Sequence, residues 1–168
     1  MVFRSSFYCL VLFLSLYFSS FSQQSLAFEN NQIHFSQGKE YFDAQNYVAA
    51  REEFANFLSR QSNSNNNEVI LAEYYQVLCS LYLNQPEIEV LGYHFNLNHP
   101  NSTQSNLLFR KMGLYFYDLG SYAKAIRYLE NSSLGNVEAR FKLGVAYFET
   151  KDYTNSLAIF NEVKSDPD

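Results

Sequence analysis

From residue 31 onward, bulky apolar positions fall into one pattern that recurs four times along the chain. Aligned on Gly38, Cys79, Gly113 and Gly144, an aromatic follows three residues later, at Tyr41, Tyr82, Phe116 and Tyr147. Nine residues after each alignment point stands another bulky residue, Tyr47, Ile88, Tyr122 or Tyr153. Three further on are Ala50, Leu91, Ala125 and Ser156, and four beyond those are Phe54, Phe95, Leu129 and Phe160. Spacings of three and four place side chains on one face of a helix. Each unit is therefore expected to be a helix, a short turn and a second, antiparallel helix opening at the bulky residue. The small residue at the alignment point lets the two helices approach closely. Such a pair cannot bury its apolar face alone, so neighbours stack and share an elongated core.

The alignment points are 41, 34 and 31 residues apart, and the long first interval contains the polar run Gln61–Asn67, a predicted loop over 61–67. The motif Leu143-Gly144-x2-Tyr147 with Ser156-x3-Phe160 resembles the tetratricopeptide repeat. The same holds for Phe109-x2-Met112-Gly113-x2-Phe116 with Ala125-x3-Leu129, and for Tyr75-x2-Leu78-Cys79-x2-Tyr82 with Leu91-x3-Phe95. Gln37-Gly38-x2-Tyr41 with Ala50-x3-Phe54 completes the set. Pro100 and Pro167 fall near the closing proline of that motif. The pattern departs from the family in having no Trp, with His34 and Arg140 in leading aromatic slots and Leu91 where a small residue is usual.

The resemblance implies an all-α fold, a right-handed α-solenoid of antiparallel helix pairs, with repeats over about 31–64, 72–105, 106–136 and 137–168. Residues 23–30 form a lead-in. Gly120 is expected to end a helix, Pro86 to sit in a helix's first turn and Asn136 to cap a helix beginning at Val137. A solenoid normally finishes with a polar capping helix, whereas the last pattern here leads onward, so the array is expected to continue past Asp168.

The first 22 residues stand outside the pattern. One Arg precedes the apolar run Phe7–Phe18, and Ser20 and Ser22 supply the small residues read by a signal peptidase, with cleavage expected after Ser22. The alternative is an uncleaved membrane anchor, although the run is shorter than the roughly 20 residues that span a bilayer. Membrane contact is otherwise not expected. Cys9 lies in mid-run, unlike a lipid-attachment cysteine. An exported product is expected, in the periplasm of a Gram-negative bacterium, with a secreted product or one anchored by the uncleaved segment as the alternatives.

Composition narrows the function further. Removing residues 1–22, which hold one Arg and no acid, takes the net charge from −5 to −6. That balance argues against nucleic acid. Cys79 becomes the single cysteine, so an internal disulfide is excluded. Phosphate loops, HExxH, nucleophile elbows and Cys/His ligand clusters are absent, so neither enzyme activity, cofactor, metal nor small-molecule substrate is expected. His94 and His99 with Glu87 and Glu89 straddle a predicted helix end, a poor ligand geometry. Cys79 is expected to be a buried filler. Asn101-Ser102-Thr103 and Asn131-Ser132-Ser133 match the glycosylation acceptor pattern, which an Asn- and Ser-rich chain produces by chance.

With 14 Tyr and 16 Phe, aromatics make up 18% of the chain. Tyr41, Tyr82, Phe116, Tyr147, Phe54 and Phe160 are expected in the core. In tetratricopeptide-repeat proteins the inner face is lined by first-helix positions three before, one after and four after the small slot. Here these are Phe35, Lys39 and Phe42; Gln76, Ser80 and Leu83; Arg110, Leu114 and Tyr117; and Phe141, Val145 and Phe148. The resemblance thus implies a non-catalytic scaffold that holds a protein or peptide partner on a largely apolar face. The Lys and Asn cluster that clamps a carboxylate in some relatives is not reproduced. An N-terminal docking or sensor arm of a larger enzyme or assembly protein is the alternative.

Overall fold

The computed structural model describes residues 31–61, 66–132 and 137–165. The signal segment, the lead-in, Asn136 and Pro167 lie outside the described residues. Eight helices and no strand occur among the described residues. α1 covers residues 31–43, and α2 to α8 are Tyr47–Ser59, Asn67–Tyr82, Ile88–Asn98, Thr103–Asp118, Tyr122–Glu130, Val137–Glu149 and Tyr153–Ser165. The chain divides into two compact units, Met1–Ser62 and Asn63–Asp168. α1 and α2 belong to the first; α3 to α8, three helix pairs, belong to the second. In the second unit each pair packs on itself, and the first helices α3, α5 and α7 pack side by side. All-α helical-repeat architecture is what the pattern predicted.

Tyr47, Ile88, Tyr122 and Tyr153 each open a second helix, as their spacing required. The small slot works by contact. A Cβ placed on Gly113 would lie 2.6 Å from Leu129 Cγ; on Gly144, 2.7 Å from the Phe160 ring; on Gly38, 2.9 Å from the Phe54 ring. In three repeats the slot glycine thus receives the large residue that the pattern puts sixteen positions later. Cys79 fills the slot of the remaining repeat and is fully buried. Ala50, Ala125 and Ser156 are buried beside these contacts. Ser156 keeps its hydroxyl satisfied by donating to the Gly144 carbonyl at 2.9 Å.

The turns inside the pairs share one geometry. Gln45, Asn84, Gly120 and Lys151 adopt φ of 60°, 52°, 68° and 66°. In each, the N–H of the next residue reaches back five positions, as in Ser121 to Phe116 at 2.8 Å and Asp152 to Tyr147 at 2.9 Å. This is the Schellman closure, which satisfies carbonyls otherwise orphaned at a helix end. Gly120 was expected there. The three non-glycine residues accept the left-handed conformation because a short connection to the second helix demands it.

Several expectations are corrected. α3 starts at Asn67, not near 72, because the Asn66 side chain accepts the Glu68 N–H and caps it. That helix start also shortens the expected 61–67 loop. α5 starts at Thr103, not 106, capped by Ser102, whose hydroxyl accepts the Ser105 N–H. Pro86 precedes the first turn of α4 instead of lying in it. Leu91 is only half-buried, and the buried small residue of α4 is Gly92, where a Cβ would meet Met112 Sδ at 2.5 Å. Tyr41 and Tyr82 are exposed, at 38% and 40%, not core. Phe160 is half-buried.

The last two pairs share a core of Leu129, Ala139, Leu143 and Tyr147, with Leu114, Ile126 and Ile159 against it. The Tyr147 hydroxyl donates to Glu130, so a core tyrosine keeps its polar end paired. Burial, reinforced by the Glu130 carboxylate, raises the Tyr147 pKa above its ordinary 10.0. Burial likewise pushes Tyr74 up to about 12.

Two outcomes follow from this packing. Gly113→Ala should destabilise the protein by about 1–3 kcal/mol in urea unfolding, and by much less in a Leu129→Ala background, where the receiving side chain is gone. Stability should also depend on tyrosine ionisation. A raised folded pKa contributes stability fully present below pH 10 and lost as pH climbs through the folded value. Thermal midpoints should therefore fall above about pH 10, and fall less in a Tyr74→Phe, Tyr147→Phe double variant.

Candidate functional site

The twelve residues expected on the inner face lie on first helices or at their ends, but they are divided between the units. Phe35, Lys39 and Phe42 stand on α1 in the first, and each is half-buried. The other nine belong to the second. Gln76 is half-buried on α3, and Leu83 is the residue that closes that helix. Ser80 presents no surface: it is 2% exposed, and its hydroxyl donates to the Gln76 carbonyl at 3.1 Å. A serine one turn from its acceptor in a packed helix turns inward to satisfy its own hydroxyl. Arg110, Leu114 and Tyr117 on α5 are half-buried, and Leu114 packs on the shared core. On α7, Val145 is half-buried, while Phe141 and Phe148 are 50% and 54% exposed.

Most of the aromatics among them also serve the packing of their own pair. Phe42, Tyr117 and Phe148 meet the residue that opens the following helix. The pairs Phe42–Tyr47, Tyr117–Tyr122 and Phe148–Tyr153 have ring centroids 5.5, 5.7 and 5.5 Å apart, edge-on at 65°, 68° and 63°. Edge-to-face contacts of this kind contribute about 0.5–1.5 kcal/mol beyond burial. They clamp the turn. Phe35 lies 6.0 Å from Phe54, and Phe141 lies 5.7 Å from Phe160, so the position three before the slot leans on the residue that fills the slot.

Two lysines complete this face, and the sequence reading missed both. Lys111 on α5 reaches Tyr82 of α3, donating to its hydroxyl at 3.2 Å with the ammonium 5.9 Å from the ring centre. Lys142 on α7 lies 5.1 Å from the centre of the Tyr117 ring of α5, and pairs with Asp118 at 3.1 Å and Glu138 at 3.3 Å. Burial opposes the Lys142 charge, but hydrogen bonds to Asp118 and Glu138 outweigh it and raise its pKa. Both lysines stand two positions before the slot. That shared register was the available signal.

The remaining candidate chemistry disperses. His99 Nε2 lies 2.6 Å from Glu73 and its carbonyl accepts from Ser102 and Ser105, whereas Glu89 binds Lys124 and Arg127. Among the described residues no group of three His, Cys, Asp or Glu is placed to hold a metal ion, and no helix is long and apolar enough to cross a membrane. Asn131 caps α6 and Ser102 caps α5, so both acceptor-like motifs have structural employment.

No curated protein and no solved structure matches the chain. Residues 110–168 match the family model described as tetratricopeptide repeat. That stretch runs from the middle of α5 through α8, two of the three pairs in which a glycine slot, a Schellman turn and an aromatic clamp occur together. These last two pairs are similar to the tetratricopeptide repeat, a family of typically non-catalytic scaffolds whose repeats mediate protein–protein interaction.

Proposed function

We propose that the chain is an exported scaffold that holds an extended peptide or a partner helix on the face lined by the first helices α3, α5 and α7 of its second unit. The observation that carries this reading is the row of half-exposed Phe141 and Phe148 on α7, two helical turns apart with Val145 between them. Residues seven apart lie on one side of a helix. Tyr117 and Arg110 of α5 extend the same strip onto the neighbouring first helix. Large aromatics with an arginine are the side chains that dominate interface energetics, because they bury much area at low entropic cost. Their contacts with Tyr153, Phe160 and Lys142 hold them in place before a partner arrives, which lowers the ordering cost of binding.

The export reading rests on the basic start, the apolar run Phe7–Phe18 and the small residues Ser20 and Ser22. The periplasm is the compartment in which such a scaffold would act.

Phe148→Glu combined with Arg110→Ala should remove at least about 90% of partner recovery in a pull-down from envelope extract, with helical circular dichroism unchanged. Undiminished recovery would contradict the face assignment. Protein isolated from the periplasm should begin at Gln23 on N-terminal sequencing; an intact Met1 in the membrane fraction would contradict export by cleavage.

A further inference from the structure

A groove of about 510 Å³ runs between α4 and α6, lined mainly by second-helix residues and by none of the residues assigned above to the first-helix face. Val90 and Tyr93 of α4 form one wall and are 57% and 62% exposed. Phe109 of α5 and Tyr128 of α6 also line it, with ring centres 5.8 Å apart. Tyr128 is buried, stacked on Phe116 at 5.4 Å and 15° and covered by Arg127 at 4.9 Å from its ring centre, so it forms the fixed base of the groove, and Phe109, Val90 and Tyr93 form its apolar wall. The apolar strip on α4 continues to Leu97, which is 61% exposed.

One end of the groove is charged. Glu89 reaches across to Lys124 and Arg127, so two cations share a single carboxylate. The Lys124 hydrogen bond, foremost among its neighbours' effects, holds the Glu89 carboxyl below the usual range. This end therefore carries one net positive charge on a chain whose net charge is −5. Arg127 is 60% exposed and accessible from solvent. Asn96 lies two turns further along α4, and Asn131 lies one turn beyond Arg127 on α6.

From Glu89 to Asn96 is about 10 Å along a helix axis. An extended chain covers that distance in about three residues. The lining sets polar groups, Glu89, Asn96, Arg127 and Asn131, around an apolar middle, which suits an extended backbone with open N–H and C=O groups better than a helix whose own groups are satisfied. We propose that the groove binds a short extended segment of a partner protein that carries an aromatic side chain beside an acidic one. The ring lies against Val90, Tyr93 and Phe109, the carboxylate meets Arg127, and the Asn96 carboxamide and the Asn131 amide oxygen face the segment's backbone. The overall negative charge of the chain makes this end the place where an acidic group is attracted.

The test is a ¹H–¹⁵N titration of the full mature chain with the blocked tripeptide acetyl-Asp-Phe-Asp-amide, alongside its Lys-Phe-Lys and Asp-Ala-Asp counterparts and free 3-phenylpropionate. Saturable shifts at residues 89–96 and 127–131 with the first peptide are expected, and much weaker ones with the Lys and Ala peptides. Arg127→Gln should weaken binding roughly tenfold, the loss of one charge-assisted hydrogen bond, and Tyr93→Ala should weaken it with the spectrum otherwise preserved. Absence of saturable shifts in the groove, or equal binding of the Lys peptide, would overturn the proposal. Binding of 3-phenylpropionate but not of the blocked peptide would also overturn it, by assigning the groove to a small molecule. Shifts confined to α5 and α7 would do the same while leaving the first-helix face intact.

Discussion

In three of the four pairs the distance between the two helices is set where a slot glycine meets a large side chain from the opposite helix. At Gly113 and Gly144 that side chain stands where a Cβ would be, within 2.6 and 2.7 Å of the position such an atom would take. Everything else in the pair depends on this approach. It brings Ser156 close enough to bond the Gly144 carbonyl and buries Leu129 completely. It also leaves room for only a short connection, which forces one residue of each turn into the left-handed region even where that residue is Gln45, Asn84 or Lys151. Interiors packed to crystal-like density do not absorb an added carbon at such a point.

The aromatic excess gains a physical account from the same geometry. Phe42, Tyr117 and Phe148 each sit edge-on to the residue that opens the next helix, and Phe35 and Phe141 lean on the slot-filling Phe54 and Phe160. A residue in such a place serves twice. One side of the ring stabilises the turn or the slot, and the other, on α7, remains open to solvent. Lys111 and Lys142 add a cation over an aromatic of the preceding first helix, worth about 0.5–1 kcal/mol at exposed sites. The face assigned to a partner is therefore built from groups already held in position by the fold.

Much of this was legible in the sequence because it is periodic. Tyr47, Ile88, Tyr122 and Tyr153 repeat at one spacing, and all four begin helices. The slot glycines and their large partners likewise recur. What was missed lacks periodicity or depends on a single repeat. Left-handed Gln45 and Lys151 carry no compositional signal of the kind Gly120 does. In the second unit's first pair, small size moves from Leu91 to Gly92 because Met112 of the next helix needs the space. Tyr82 matches the core register but stands exposed under Lys111, and Ser80 matches the surface register but turns inward. Helix starts were displaced where an Asn or Ser cap, a local hydrogen bond, outweighed the repeat frame.

The central claim is that the three glycine-slot pairs are closed by their slot contacts, and nuclear Overhauser spectroscopy of the folded chain tests it most directly. The account predicts strong cross-peaks from the Gly144 α-protons to the Phe160 ring, from Gly38 to the Phe54 ring, and from Gly113 to the Leu129 methyls. Cross-peaks from these glycines to other side chains, with none to Phe54, Leu129 or Phe160, would contradict it.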